Sequence, residues 1–168
     1  MAWVTDSPNW VNKRSTSLEY RFLSSMQGSL GVGANLTTWT SEDFAVAKGM
    51  IADYKQIRET VQHGNLYRLI SPQGGSEFSA TESVSEDKRQ AVLFAFLHSS
   101  QKGYPFPTIK LRGLDPSKQY RLRSIRSSKL EGAPQIASGA YWMSHGLDVV
   151  LRGDFQAAGF FLNETSPH

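Results

Sequence analysis

The residues of this chain that are best placed for chemistry lie directly behind its first apolar stretch. Ala2 to Thr5 is a strand-forming run, and Asp6 and Asn9 follow it within a turn-forming segment. Where strands and helices alternate into a barrel, the loops after the strands carry the chemistry, so Asp6 lies where a functional carboxylate is expected. The alternative is structural, because Asp6 and Asn9 can accept hydrogen bonds from their own loop as Asx turns. The sequence leaves both interpretations open.

Two other patterns of chemistry are incomplete. Cleavage of a glycosidic bond requires two carboxylates, and no second acid in a comparable setting follows either of the first two predicted strands. The segment GSLGVG contains Gly28, Gly31 and Gly33, but their order is the reverse of the dinucleotide-binding fingerprint, and no ribose-binding acid follows at the required distance. These glycines instead predict close packing at a strand.

The sequence also limits which catalytic or metal-binding sites its histidine and serine residues could form, and it contains no cysteine. His63, His98 and His145 lie far apart, and no two of them have the spacing of a metal site, so no metal is predicted. We expect each to be a helix-end cation, a strand-edge residue or a turn residue. The chain has no G-x-S-x-G elbow and no cysteine, which excludes disulfides, thiolate metal sites and cysteine nucleophiles.

Composition limits the class of protein. The chain has 168 residues, of which 39% are hydrophobic and 20% charged, and a formal net charge of +3. This content is typical of a globular protein with one or two small cores. Lys and Arg are scattered, so we expect no nucleic-acid partner. No apolar run approaches the roughly 18 residues of a membrane span and no signal-peptide pattern is present, which predicts a cytoplasmic protein without a membrane partner.

The first 63 residues alternate between strand-like and helical patterns. Apolar residues recur at helical spacing from Thr16 to Gln27, and a glycine follows as the expected C-cap. The small-residue segment Ser29 to Leu36 predicts a buried strand. A second helix is predicted from an N-cap at Thr40 or Ser41 to His63. The order strand, helix, strand, helix is typical of parallel strands with helices packed outside them.

From Asn65 onward the helical period is lost, and short strand-like runs are separated by Gly, Pro, Asp or Ser. The polar stretch 71–90 predicts a loop with one weak edge strand. About seven short strands at this spacing predict an antiparallel β-sandwich, so the fold class is α/β followed by all-β. The predicted strands are residues 66–70, 91–98, 108–114, 119–125, about 140–143, 147–153 and 157–162.

Several segments, taken in order, resemble a known family. They are WVTDSPN (3–9), SLEYRF (17–22), GSLGVGANL (28–36), IRETVQHG (57–64), LYRLISP (66–72), AVLFAF (91–96), LRGLDP (111–116), SGAYWM (138–143) and LRGDFQA (151–157). They resemble the carboxy-terminal part of glycoside hydrolase family 36 alpha-galactosidases over nearly the whole chain. The resemblance implies that residues 1–63 are the last two strand-helix units of a (β/α)8 TIM barrel and that residues 65–168 are a C-terminal antiparallel β-sandwich.

The resemblance also implies an activity. The family hydrolyses terminal α-galactosides such as raffinose and melibiose by a retaining mechanism, with one Asp as nucleophile in a Lys-Trp-Asp type motif and another as acid/base in a Ser-Asp-Asn-Thr-Asp type motif. Neither motif occurs here, and the family segment that matches the Asp6 loop lies one strand further on than the acid/base motif. We therefore expect no catalytic residue in this chain, both carboxylates upstream of Met1, no activity of the chain alone, and no cofactor. Asp6 remains a candidate substrate-binding residue near the sugar site.

The implied partners are the α-galactoside substrate and other protein surfaces. Two strands do not close a barrel, so they leave unpaired edges. We therefore expect residues 1–63 to be stable only when packed on the sandwich, on a second copy in a homo-oligomer, or on the remainder of the barrel. The second helix adds an apolar face over roughly half its circumference, formed by Phe44, Val46, Ala47, Met50, Ile51, Tyr54, Ile57 and Val61.

The alternative is a non-catalytic β-sandwich that binds carbohydrate or serves as an assembly subunit. Sugar-binding faces need exposed aromatic rings, and the candidates are Trp39, Tyr104, Tyr141 and Trp142. Because Tyr141 and Trp142 are predicted on opposite faces of one strand, at most one of them is exposed. A flat exposed cluster favours binding, whereas scattered buried rings favour a structural domain.

Overall fold

The structure, a computed structural model, describes residues 1–73, 76–100, 106–130 and 132–165. The helices in these ranges are α1 (Leu18–Ser25), α2 (Ser41–His63) and α3 (Gly139–Ser144). The strands are β1 (Ala2–Val4), β2 (Leu30–Val32), β3 (Asn65–Ile70), β4 (Phe78–Val84), β5 (Gln90–Leu97), β6 (Thr108–Ile109), β7 (Gln119–Ser124), β8 (Ile136–Ser138), β9 (Leu147–Asp148) and β10 (Gln156–Glu164). No helix among the described residues is long and apolar enough to cross a membrane.

The first elements alternate between strand and helix, and β1 and β2 are parallel, as predicted. β2 is shorter than the predicted strand, because Asn35 caps a 3-10 turn at Leu36–Thr38 and the chain leaves the extended conformation. α1 is also shorter than predicted. Its N-cap is Ser17, whose hydroxyl accepts the Tyr20 N–H at 3.1 Å, and its C-cap is Met26 instead of the glycine at position 28.

α2 is the element that the sequence predicts best. Thr40, and not Ser41, is its N-cap, and it forms a capping box with Asp43. The Thr40 hydroxyl accepts the Asp43 N–H at 3.2 Å, and an Asp43 carboxylate oxygen accepts the Thr40 N–H at 2.8 Å. The hydrogen bonds from the backbone and hydroxyl of Thr40 lower the pKa of Asp43. The helix ends at His63, and β3 begins at Asn65.

A six-stranded antiparallel sheet in the order β3-β4-β5-β10-β7-β8 organises the rest of the chain. The prediction of a loop with a weak edge strand at residues 71–90 is wrong, because β4 pairs with β3 on one side and β5 on the other. The polar character of β4 arises from Ser79, Thr81 and Ser83, which alternate with residues of the core-facing side. The Thr81 hydroxyl donates at 2.7 Å to the side chain of Gln27, which lies just after α1.

The predicted strand near residues 140–143 is also wrong, because this segment is α3. The Ser138 hydroxyl accepts the Tyr141 N–H at 3.1 Å and caps the helix, while Trp142 is completely buried. The predicted strands 108–114 and 147–153 are reduced to β6 and β9, which pair with each other. Beyond β6 the Leu111 N–H donates to the Trp142 carbonyl at 3.3 Å, so the chain bonds to α3 instead of extending the strand.

The two faces of the sheet pack against different layers. One face forms a core with β6, β9, α3 and the segments around them, and includes Phe78, Leu93, Ile109, Leu111, Trp142, Leu147 and Phe160. The other face packs on α1 and α2, and this second core includes Phe22, Met26, Met50, Ile57, Val92, Phe94 and Phe161. The carboxy-terminal region is therefore an antiparallel sheet domain with one layer of short elements. The division into residues 1–63 and 65–168 stays a prediction, because α1 and α2 share a core with the sheet.

Candidate functional site

The carboxyl ends of β1 and β2 lie at the same edge, because the two strands are parallel and Val4 is opposite Val32. Asp6 follows β1 by two residues and is exposed. One of its carboxylate oxygens, Oδ1, accepts the backbone N–H of Asn35 at 2.8 Å. Asp6 therefore joins the loop after β1 to the loop after β2 instead of forming a turn within its own loop. Its second oxygen accepts no hydrogen bond from the described residues.

Asn9 has the structural role that the sequence offered as an alternative. Its side-chain oxygen accepts the N–H groups of Val11 at 2.9 Å and Asn12 at 3.3 Å, which is an Asx turn. Ser7 also stabilises the loop, since its hydroxyl accepts the Thr16 N–H at 3.1 Å. These bonds hold the loop between β1 and α1 in one shape around the exposed carboxylate.

Arg21 of α1 stabilises the loop that follows β1 at this edge. Its guanidinium donates to the carbonyl of Thr5 and, at 3.4 Å, to the carbonyl of Ser17. Partial burial lowers the pKa of Arg21, and the nearby carboxylates of Asp43 and Asp6 act in the opposite direction. Arg21 thus places a positive charge beside the Asp6 loop. No signal in the sequence distinguishes it from the other scattered cations.

Trp3 explains the glycines of the GSLGVG segment. A Cβ atom on Gly31 would lie 2.6 Å from the Trp3 ring, and one on Gly33 would lie 3.3 Å from it. The predicted close packing is therefore confirmed at these two positions, whereas Gly28 has no atom within 4 Å of such a Cβ.

Trp10, in the loop after β1, is 81% exposed and is not among the aromatic candidates predicted from the sequence. Its place two residues after Pro8, in a turn-forming segment, is the signal that could have found it.

The four aromatic candidates do not form one exposed face. Trp142 is buried, and Tyr141 is half-buried against it at 5.2 Å between ring centroids. Trp39 is half-buried and contacts Phe44 at 5.5 Å. Tyr104 lies outside the described residues. The rings that can be placed are scattered, which by the criterion above favours a structural domain over a flat sugar-binding face.

The three histidines considered as metal ligands lie at the ends of elements. His63 is in the last turn of α2 and His145 is the C-cap of α3, where its ring stacks on Tyr141. His98 follows β5, and its Nδ1 lies 3.0 Å from a carboxylate oxygen of Glu77. Across the described ranges, no three His, Asp or Glu side chains are grouped so that they could hold a metal ion.

Glu82 is a buried carboxyl group that the sequence does not reveal, because it lies in the stretch predicted as a polar loop. It is in β4, with 0% exposure, on the same side of the strand as the Phe78 core. One oxygen, Oε2, accepts the Arg112 N–H at 2.7 Å, and the other has no hydrogen-bond partner among the described residues. Burial raises the pKa of Glu82 to about 8, although the Arg112 N–H and charge act against this shift.

Within the described part of the chain, the carboxyl edge does not show a pair of free carboxylates for acid and base catalysis. Asp6 presents one free oxygen, while the nearby Asp43 is occupied by the capping box of α2. The arrangement is suited to accepting a hydrogen bond from a ligand at an edge that Arg21 and Asn35 keep in place.

Comparison with known proteins assigns the chain to a class. The family model described as "Glycosyl hydrolase family 36 C-terminal domain" matches residues 78–162, which is just over half of the chain. The model described as "Melibiase" matches residues 1–64. The chain belongs to glycosyl hydrolase family 36.

Several curated proteins similar to this chain are named as alpha-galactosidases. Alpha-galactosidase 2 of Hypocrea jecorina is 32% identical over 97% of this chain and 21% of its own length. Alpha-galactosidase AgaA of Geobacillus stearothermophilus is 32% identical over 74% of this chain and 17% of its own length. The chain thus spans about a fifth of the length of the curated relatives that it matches.

Solved structures show the same relationship. The crystal structure of the alpha-galactosidase AgaB from Geobacillus stearothermophilus matches with a TM-score of 0.85 and 30% identity, over 98% of this chain and 21% of that chain. A variant of AgaA in complex with raffinose matches with a TM-score of 0.85 and 28% identity, over 98% of this chain and 22% of that chain.

Proposed function

We propose that this chain forms the end of the barrel and the terminal sheet domain of an alpha-galactosidase that hydrolyses terminal α-galactosides of the raffinose and melibiose type by a retaining mechanism. The observation that carries the proposal is the parallel pair β1 and β2, whose loops Asp6 joins at their common carboxyl edge. In barrels of alternating strands and helices, this edge is the functional face. The raffinose complex of a structurally similar AgaA variant supports the substrate class.

In this proposal Asp6 binds the sugar and does not cleave it. Its free oxygen accepts a hydrogen bond from a sugar hydroxyl, while Oδ1 stays bound to the Asn35 N–H. The chain lacks both motifs that resemblance associates with the nucleophile and the acid/base. These two carboxylates would belong to polypeptide outside the 168 residues, and the chain alone would not hydrolyse substrate.

An apolar groove on α2 supports association with the remainder of the barrel. The groove has a volume of about 540 Å³, and Phe44 at its surface is 48% exposed. Its lining residues are Val32, Leu36, Trp39, Phe44, Ala47, Lys48, Ile51, Ala52 and Lys55. Only part of the apolar face of α2 is therefore covered by the chain itself. We propose that residues 1–63 are the last two units of a (β/α)8 barrel and that preceding units cover this groove, since the relatives are about five times longer.

The first test is hydrolysis of a chromogenic α-galactoside by the purified chain, beside the variant Asp6→Asn. Asn keeps an oxygen that can accept the Asn35 N–H, so the loop geometry is preserved. Asp148→Asn is the matched control, because Asp148 is also exposed and accepts one hydrogen bond, from Thr108 at 2.7 Å. No turnover by any of the three is expected. Turnover that only Asp6→Asn abolishes would contradict the binding role and make Asp6 catalytic.

The activity itself is tested in a chimera in which this chain replaces the matching segment of AgaA. A folded chimera is expected to hydrolyse raffinose, and Asp6→Ala in it is expected to raise KM by roughly tenfold, because one hydrogen bond to a charged group contributes about 1.5 kcal/mol. A folded chimera without turnover would contradict the proposed function. Unchanged KM in the Asp6→Ala chimera would contradict the role of Asp6 alone.

A further inference from the structure

A second concave surface lies between α1 and the ends of β4 and β5. It has a volume of about 320 Å³, which is at the lower end of the roughly 300–1,000 Å³ of small-molecule sites. Its lining comes from α1 and the segment directly after it, from the start of β4 and the end of β5, where Ser79 is opposite Phe96, and from Pro72. The lining residues are Tyr20, Ser24, Gln27, Pro72, Glu77, Ser79, Phe96 and His98.

The groove has an aromatic part that is held in place by ring contacts. Tyr20 contacts Phe96 edge to face at 5.7 Å and Phe155 at 6.3 Å between ring centroids. Phe155 also contacts His98 at 5.0 Å, and Arg14 lies over its ring at 4.6 Å. The two rings that line the groove, Tyr20 and Phe96, are both half-buried, so each keeps an exposed portion. They provide a rigid apolar surface for a small ligand.

The polar part of the groove is left with free hydrogen-bonding capacity. The hydroxyls of Tyr20, Ser24 and Ser79 make no hydrogen bond to the described residues. Glu77 uses only one carboxylate oxygen, which contacts His98 at 3.0 Å. The Tyr20 hydroxyl is a donor at neutral pH, as in any tyrosine with an ordinary pKa, and burial raises its pKa further. The groove thus offers several donors and acceptors that converge beside two aromatic rings.

The charges of the groove decide which ligand it suits. Glu77 is the single carboxylate among the described lining residues, and one carboxylate does not supply the roughly six to eight oxygen ligands that a cation such as Ca²⁺ takes. None of the described lining residues is a Lys or Arg, and the nearby Arg14 lies over the Phe155 ring outside this lining, so the lining itself offers no Lys or Arg to pair with an anion. A ligand with hydroxyl groups on one side and an apolar C–H face on the other satisfies both parts of the lining. We propose that this groove binds a neutral sugar ring of the hexose type.

Titration of the ¹⁵N-labelled chain with galactose, followed by two-dimensional NMR, tests the proposal without requiring catalysis. Galactose is expected to shift the amide signals of Ser79, His98 and the Tyr20 turn of α1 in a saturable manner. Inorganic phosphate at the same concentration and ionic strength is expected to leave them unchanged. No saturable shift with galactose, or a shift with phosphate alone, would overturn the proposal, whatever the outcome of the hydrolysis assays.

Two variants test whether galactose binds in this groove. Tyr20→Phe keeps the ring contacts and removes one hydroxyl, so we expect roughly fivefold weaker binding, the effect of one hydrogen bond. Ser79→Val removes a hydroxyl and adds two methyl groups to the lining, and it is expected to weaken binding at least as much. Ser124→Val is the matched control, because it makes the same change at an exposed strand position outside the groove, and it is expected to bind normally. Equal affinity in all three variants and the unaltered chain would overturn the assignment.

Discussion

Replacement of Glu82 by Gln is expected to remove most of the pH dependence of stability between pH 5 and 8. Glu82 is completely buried, and its pKa is raised from 4.5 to about 8 because burial disfavours the carboxylate. Between these two pH values the unfolded chain has lost the proton and the folded chain still holds it. Folding therefore requires proton uptake, and the free energy of unfolding falls as the pH rises.

The magnitude follows from the size of the pKa shift. A shift from 4.5 to about 8 corresponds to about 5 kcal/mol in total, and about 3 kcal/mol of this stability is already lost at pH 7. The loss is about 1.4 kcal/mol for each pH unit in this range and ends near pH 8. Gln does not titrate, and its carbonyl oxygen can still accept the Arg112 N–H. Its amide would lie where Glu82 has no described partner, which adds a cost of about 1–3 kcal/mol that is the same at every pH.

Urea unfolding followed by tryptophan fluorescence at pH 5, 6, 7 and 8 measures this effect. The stability of Glu82→Gln relative to the unaltered chain is expected to rise steadily with pH, whatever its value at pH 5. Glu86→Gln, which makes the same change at an exposed position after β4, is expected to follow the unaltered chain within about 0.5 kcal/mol. Parallel pH curves for Glu82→Gln and the unaltered chain would refute the assignment of a protonated, buried carboxyl group.

Three further substitutions test the packing around the candidate site. Gly31→Ala places a Cβ 2.6 Å from the Trp3 ring and is expected to lower the unfolding free energy by about 1–3 kcal/mol. Gly28→Ala, which has open space around it, is expected to change the unfolding free energy by less than about 1 kcal/mol. Equal losses of the two variants in urea unfolding would contradict this. Thr40→Ala removes the capping hydroxyl of α2 and is expected to cost about 1 kcal/mol, with Thr40→Ser retaining the stability, as measured by thermal melting. Phe44→Ser in the apolar groove is expected to reduce the binding of a hydrophobic dye while leaving the melting temperature within about 4 °C. A dimer in sedimentation that this variant dissociates would instead identify a second copy as the occupant of the groove.

The sequence alone determined the elements whose signals are local. α2 was predicted almost to the residue, because Thr40, Asp43 and Gly64 lie next to the ends that they specify. The parallel arrangement of β1 and β2 followed from the alternation of patterns, and β5 and β10 followed from continuous apolar runs. The family resemblance, and with it the proposed substrate class, also came from the order of short segments along the chain.

The tertiary structure decided whatever depends on contacts between distant residues. β4 carries Ser and Thr on the side opposite its Phe78 core face, so its composition resembles a loop until β3 and β5 pair with it. The segment of α3 has strand-forming aromatic residues, and the Ser138 cap and the burial of Trp142 select the helix. Asp6 bonds to a backbone group 29 positions away. The burial that perturbs Glu82 likewise comes from packing across the sheet, for which local sequence has no signal because burial is a property of the whole fold.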